Sequence, residues 1–196
     1  MRLFYARRRR YGSKKKITKK ALKEAGIYVL LTLFSVLTAV LIVYGFGIRT
    51  RNVGESMEPV LYNGQNVLVD RFRYLLIPPG RGSVIVFLPH GNTASHYYVK
   101  RVVALPGERV QIIDNELYVN GQKAFTTQDG YDLMEDAGIA ENELTLAEDE
   151  YFVLGDNRNS SEDSRSANIG PVKRDQISGA AWFKYGGTEG ETGFVN

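Results

Sequence analysis

The chain has 196 residues with 25 Lys and Arg against 22 Asp and Glu, a net charge of +3, and no cysteine. That excludes a disulfide framework and a thiolate metal site, and no metal-ligand cluster or phosphate-binding glycine loop is visible, so no metal and no cofactor is implied. The net charge hides an asymmetry: residues 1–23 carry 11 basic residues and no acid, leaving 14 basic against 22 acidic residues in the remainder, a net of −8.

Residues 25–48, AGIYVLLTLFSVLTAVLIVYGFGI, contain no charged side chain and directly follow the basic block. A bilayer core of ~30 Å needs ~20 apolar helical residues, so this stretch is long enough to span with some tilt. A secretory leader has an apolar part of only ~7–15 residues before a small-residue cleavage pattern, which is not found here. A buried core helix is the other reading. A helix apolar on every side, with Arg7 to Arg10, Lys14 to Lys16, Lys19, Lys20 and Lys23 at its mouth, suits a bilayer better. The positive-inside rule then makes 1–24 a cytoplasmic basic N-terminus, 25–48 a single-pass transmembrane helix in the cell membrane, and 49–196 an extracytoplasmic domain. Beside a spanning helix the basic residues read as contacts to membrane lipid, with no role in nucleic-acid binding.

About 148 residues follow Ile48, enough for one core. Short runs rich in Val, Ile, Tyr and Phe predict strands at Asn66–Phe72, Ser83–Leu88, Tyr97–Leu105, Arg109–Ile113, Leu117–Val119, Tyr151–Leu154 and Ile177–Lys184. Pro78-Pro79-Gly80, Leu105-Pro106-Gly107 and Asn120-Gly121 punctuate them. Phe72, Tyr74, Leu75, Leu76 and Ile77 form an apolar cluster in a loop-like context, read either as core or as shallow lipid contact. From about 123 to 149 lies a loop-like insertion; its acidic part, 131–149, has room for one helical turn and is expected outside the sheet. The fold class is mainly β, an antiparallel barrel-like domain on one N-terminal transmembrane helix.

Ser56 lies in Gly54-Glu55-Ser56-Met57-Glu58-Pro59, just beyond the span. A serine hydroxyl needs a base before it can act as a nucleophile, and a serine beside Gly and Pro is also an ordinary turn residue. The two histidines, His90 in Pro89-His90-Gly91 and His96 in Ser95-His96-Tyr97, read as exposed loop residues, although a triad can assemble from distant positions. Lys100 is the stronger base candidate. Period-2 alternation puts Tyr98, Lys100 and Val102 on one face and Val99, Arg101 and Val103 on the other, so one of two adjacent cations points inward, and the apolar flanks suit Lys100. A free lysine with pKa ~10.4 is protonated at neutral pH, but burial that lowers it by ~3 units, at a cost of ~4 kcal/mol, leaves a usable amine. The competing reading is a snorkelling strand lysine. Gly155 to Arg165, GDNRNSSEDSR, reads as a solvated loop or as a polar network holding such a lysine.

Taken in order, Gly54 to Pro59, Tyr98 to Glu108 (YVKRVVALPGE) and Gly155 to Arg165 resemble the signature boxes of bacterial type I signal peptidases, in the short single-anchor form of Gram-positive bacteria. The resemblance extends to the anchor and the intervening strands, from about residue 25 to Lys184. It implies the signal-peptidase β domain and a membrane-bound serine endopeptidase that removes signal peptides from exported preproteins, cleaving after small residues of Ala-X-Ala type. It makes Ser56 the nucleophile, Lys100 the general base and Ser161 the hydroxyl that orients the lysine. Asp163 with Arg165, and Asp156 with Arg101, match structural pairs. The backbone N–H of Ser56 is one oxyanion donor. Some members supply a second from a hydroxyl two residues before the nucleophile, where this chain has Gly54. Val60 replaces a common hydroxyl after the box proline. Val53, Met57, Leu61, Tyr98 and Val99 are the pocket lining by positional match, with core the other reading for Val53 and Leu61, and a bound signal peptide would add as a β-strand. A monomer is expected. The rivals are a noncatalytic homologue that assembles surface structures, which would be expected to lose the dyad, a self-cleaving repressor-type protease, which lacks an anchor, and a lipid-bound module without chemistry.

Overall fold

A computed structural model describes residues 18–46, 48–92 and 95–195. Most of the basic N-terminus, including Arg7 to Arg10 and Lys14 to Lys16, lies outside the described residues. These fall into two compact units, one ending at Leu41 and one running from Ile42 onward.

Helix α1 spans Lys19–Phe46 and is long and apolar enough to cross a membrane. It begins before the uncharged stretch, with Lys19, Lys20, Lys23 and Glu24 in its first turns, and its apolar side chains are exposed from Ile27 to Tyr44. It stops short of residue 48 because Ile48 already belongs to a strand, β1 (Ile48–Arg51), which the sequence reading left out.

The strands that follow are β2 (Asn66–Asp70), β3 (Val84–Phe87), β4 (Tyr98–Ala104), β5 (Arg109–Ile113), β6 (Glu116–Val119), β7 (Gln122–Lys123), β8 (Leu144–Thr145), β9 (Glu150–Leu154), β10 (Val172–Lys173), β11 (Ile177–Tyr185) and β12 (Gly193–Phe194). The larger sheet runs β1-β2-β11-β3-β4-β9-β10, with β12 on β11; the smaller runs β7-β6-β5-β8; every pairing is antiparallel. Register shifts in β11, between Ile177 and Gly179 and between Ala181 and Phe183, and in β4 between Val102 and Ala104, add the local twist that curls the larger sheet toward a half-barrel. The mainly β, antiparallel barrel-like fold is therefore present.

Alternation is visible where one face is wet, as in β2, whose Val67 and Val69 are buried and whose neighbours are half-buried. It disappears in β3 and in β4 after Tyr98, where every residue is buried because side chains cover both faces. One cluster joins the two sheets through Val103, Val110, Leu117, Phe152 and Leu154; a second gathers Ile85, Phe87, Val102 and Val153; a third gathers Met57, Leu61, Val67, Val86 and Val99.

Two expectations are corrected. The run Asn66–Phe72 ends as a strand at Asp70, whose carboxylate accepts the Arg73 N–H and caps a short helix, α2 (Arg71–Leu76), so the apolar cluster at 72–77 is helical for the most part. Within it Tyr74 is buried, the Phe72 ring lies where a Cβ on Gly45 would sit, and Leu76 and Ile77 are 86% and 62% exposed. The acidic stretch 131–149 is not outside the sheets: Leu144 pairs with Val110 and Thr145 with Arg109, while Met134, Ala140 and Leu146 enter the core. Its charged residues hid three apolar anchors spaced too irregularly to show a period.

Candidate active site

Residues 52–62 carry Ser56 in a tight turn. The Glu58 N–H donates to the Glu55 carbonyl and the Leu61 N–H to the Met57 carbonyl, which turns Met57 and Leu61 into the core. Buried Asn52 holds the two ends together, its Nδ2 donating to the carbonyls of Gly54, Leu61 and Tyr62 at 3.1–3.3 Å. Asn52 was missed from the sequence, where a single amide ahead of the serine gives no signal of its three partners.

Strand β4 brings Lys100 to this turn. Lys100 Nζ lies 2.6 Å from Ser56 Oγ, and both side chains are buried. Burial pushes the lysine down from its usual value to about 8 against the pull of Asp163, Glu162 and Asp156, while Arg165 pushes the same way as burial. At pH 7 about a tenth of such amines are neutral, against fewer than about one in a thousand for a free lysine. Tyr98, two residues earlier on the same face, puts its ring 5.7 Å from Nζ.

The loop after β9 closes the site from the other side. Its Asn157 N–H donates to the Ser56 carbonyl, and a Cβ at Gly155 would overlap that same carbonyl and Ser161 Oγ. Asp156 forks onto Arg101 at 2.7 and 2.8 Å, Asp163 forks onto Arg165 at 2.9 and 3.0 Å, and all four side chains are buried. Asp163 also accepts the Gly155 N–H at 3.0 Å, and Ser164 exchanges two hydrogen bonds with the Val153 backbone. Arg158, which the sequence reading did not single out, is buried with its guanidinium 4.4 Å from the Tyr131 ring centroid.

Among the other expected site residues, some are arranged differently and Val53, Tyr98 and Val99 border the cleft as expected. Ser161 Oγ is buried without a hydrogen-bond partner among the described residues, so the contact expected to orient Lys100 is not made. The Gly54 N–H is spent on Asn63 Oδ1 at 3.0 Å, which removes it as an oxyanion donor, whereas the Ser56 N–H has no protein partner among the described residues. A cleft of about 200 Å³ opens onto the pair, bordered by Val53, Gly54, Glu55, His96, Tyr98, Val99 and Glu162 among others. Val53 is 68% exposed there and is not core. Met57 and Leu61 are fully buried and do not line it; the turn that presents Ser56 rotates them inward. His96 is exposed and stacks on Tyr98 at 5.0 Å, and His90 Nε2 lies 2.6 Å from the Asn168 carbonyl oxygen.

The chain as a whole is similar to known proteins. The family model described as signal peptidase, peptidase S26 matches residues 26–186. The chain is 35% identical over 142 residues to signal peptidase I of Bacillus amyloliquefaciens, covering 67% of this chain and 72% of that protein. It is 34% identical over 143 residues to signal peptidase I S of Bacillus subtilis (67% and 73% covered), and 34% identical over 146 residues to signal peptidase IB of Staphylococcus aureus (67% and 74%). A signal peptidase I crystal structure from Enterococcus faecalis aligns at a TM-score of 0.40 and 30% identity, over 53% of this chain and 97% of that one. With its family model matched across both the apolar helix and the β domain, the chain belongs to the signal peptidase family, peptidase S26.

Proposed function

We propose that the chain is a membrane-bound serine endopeptidase that removes signal peptides from exported preproteins, with Ser56 as nucleophile and Lys100 as general base. The observation that carries the assignment of roles is the buried 2.6 Å approach of Lys100 Nζ to Ser56 Oγ. In the neutral form the amine accepts the hydroxyl proton as Oγ attacks the scissile carbonyl; the resulting ammonium then protonates the leaving amine. Water, deprotonated by the same amine, hydrolyses the acyl-enzyme. The Ser56 N–H faces the developing oxyanion as its first donor.

A substrate strand lies along the cleft between residues 52–56 and 96–100, with its backbone paired to these segments and small side chains directed at Val53, Tyr98 and Val99. The enzyme works as a monomer in the cell membrane, crossing once, with its N-terminus cytoplasmic and residues 49–196 outside. Exposed Leu76 and Ile77, at the C-terminal end of α2, touch lipid and bring the cleft to a membrane-embedded substrate. A noncatalytic assembly role leaves the buried serine-lysine contact without a purpose.

The purified protein in detergent is expected to cut a peptide after Ala-X-Ala. Ser56→Ala and Lys100→Ala each lower kcat/KM by ~1000-fold or more while circular dichroism stays that of the parent. Retained cleavage in Lys100→Ala moves the base role to a histidine, and no cleavage by the parent across several leaders favours the assembly factor.

A further inference from the structure

The loop 155–166 makes a second set of contacts, away from the cleft, with the segment 131–139. Asn159 pairs with that segment's backbone at two points: its Nδ2 donates to the Leu133 carbonyl and its Oδ1 accepts the Glu135 N–H, each at 3.0 Å. Arg165 Nη1 donates to the Asp136 carbonyl at 3.1 Å, and the Ile139 N–H returns a bond to the Arg165 carbonyl at 2.9 Å. The approach there is so close that a Cβ on Gly138, at φ +53°, would overlap the Arg165 carbonyl. Tyr131 closes the other end beneath the Arg158 guanidinium.

The far side of 131–139 is fixed as well. The Met134 N–H donates to the Asn115 carbonyl in the β5–β6 turn, and the Met134 and Ala140 side chains are buried in the core. The segment thus connects the β5–β6 hairpin to the loop that carries Ser161, Asp163 and Arg165, and the contacts to Asn159 and Arg165 are backbone-directed, so they define position rather than merely cover surface.

We propose that residues 131–139 are a strap that holds the loop 155–166 against the Ser56–Lys100 pair, and that Asn159 is a positioning residue acting through that loop. This rests on the assignment of Ser56 and Lys100 as nucleophile and base. The groups facing Lys100 are Asp156, Glu162, Asp163 and Arg165 from this loop, together with Ser56 and the Tyr98 ring. Burial is the largest influence on the amine, so a loosened loop admits water and lets Lys100 hold its proton to higher pH.

Asn159 is exposed, so its truncation leaves the core intact. The full chain in detergent is compared with Asn159→Ala, reading kcat/KM from pH 6 to 10 on an Ala-X-Ala peptide and amide exchange at Gly155 and Ile139. The expected result is about a tenfold fall in kcat/KM at pH 7, displacement of the acid limb to higher pH with most of the loss recovered near the alkaline end, and faster exchange at both amides. A superimposable pH profile, a loss of activity without movement of the acid limb, or unchanged exchange at Gly155 overturns the proposal. If the parent itself cuts no peptide, the nucleophile-base assignment fails alone, and the exchange comparison still decides whether 131–139 restrains the loop.

Discussion

Burying Lys100 costs the fold stability. Burial brings its pKa down to about 8 and outweighs the pull of the three carboxylates near it, Asp163, Glu162 and Asp156, while Arg165 adds to the lowering. The unfolded ammonium keeps its proton up to its usual 10.5. The unfolded state therefore binds more protons between about pH 8 and 10.5, and this group's contribution to stability improves as pH rises through that window. Lys100→Met, close in length and without charge, is expected to be inactive and more stable than the parent by up to about 3 kcal/mol at pH 7. Thermal unfolding at pH 6, 8 and 10 checks the sign, with the difference steady up to about 8 and shrinking beyond it; a Met variant less stable at pH 7 contradicts the account. That one of two adjacent cations points inward was legible from alternation, and the apolar flanks favoured Lys100. That Arg101 is buried as well was not, because alternation predicts a wet face only where a strand has one, and β4 has none.

Among the elements, the turn at Ser56 and the loop after β9 depend on each other through a single backbone approach. Gly155 is the residue that permits it, since its hydrogen occupies the place where a methyl group would strike Ser161 Oγ and the Ser56 carbonyl. Gly155→Ala is expected to cost ~1–3 kcal/mol and to lower kcat more than it changes KM, because the displaced atoms are those of the dyad rather than of the cleft walls. Unfolding midpoints with steady-state kinetics test it; an Ala variant with parental stability and kcat excludes this constraint. From sequence the glycine marks only the end of a strand, and the partner that forbids a side chain lies 99 positions away at Ser56. Positional match to the family suggested Met57 and Leu61 as cleft walls, with core the other reading for Leu61; one hydrogen-bonded turn sends both into the core.

For the whole molecule, charge and apolar area divide along the chain, a basic start, an uncharged stretch at 25–48 and an acidic β domain, and the family match embraces the last two. The lipid contact assigned to Leu76 and Ile77 predicts that residues 48–196 alone still sediment with phosphatidylglycerol vesicles without detergent, and that Leu76→Asp with Ile77→Asp lowers the bound fraction several-fold; a fully soluble parent fragment refutes it. The apolar helix and the strands β5 and β9 were readable from local composition and period, because each depends on neighbours within a few residues, whereas the three boxes were readable only through their resemblance to a known family. The resemblance already paired Ser56 with Lys100, Asp156 with Arg101 and Asp163 with Arg165, but the other polar contacts around them were decided only in three dimensions. The Ser161 hydroxyl left without a partner, the Asn159 clasp on 131–139 and the Arg158 guanidinium over Tyr131 all depend on contacts between segments tens of residues apart, and no periodicity along a chain records where its loops return.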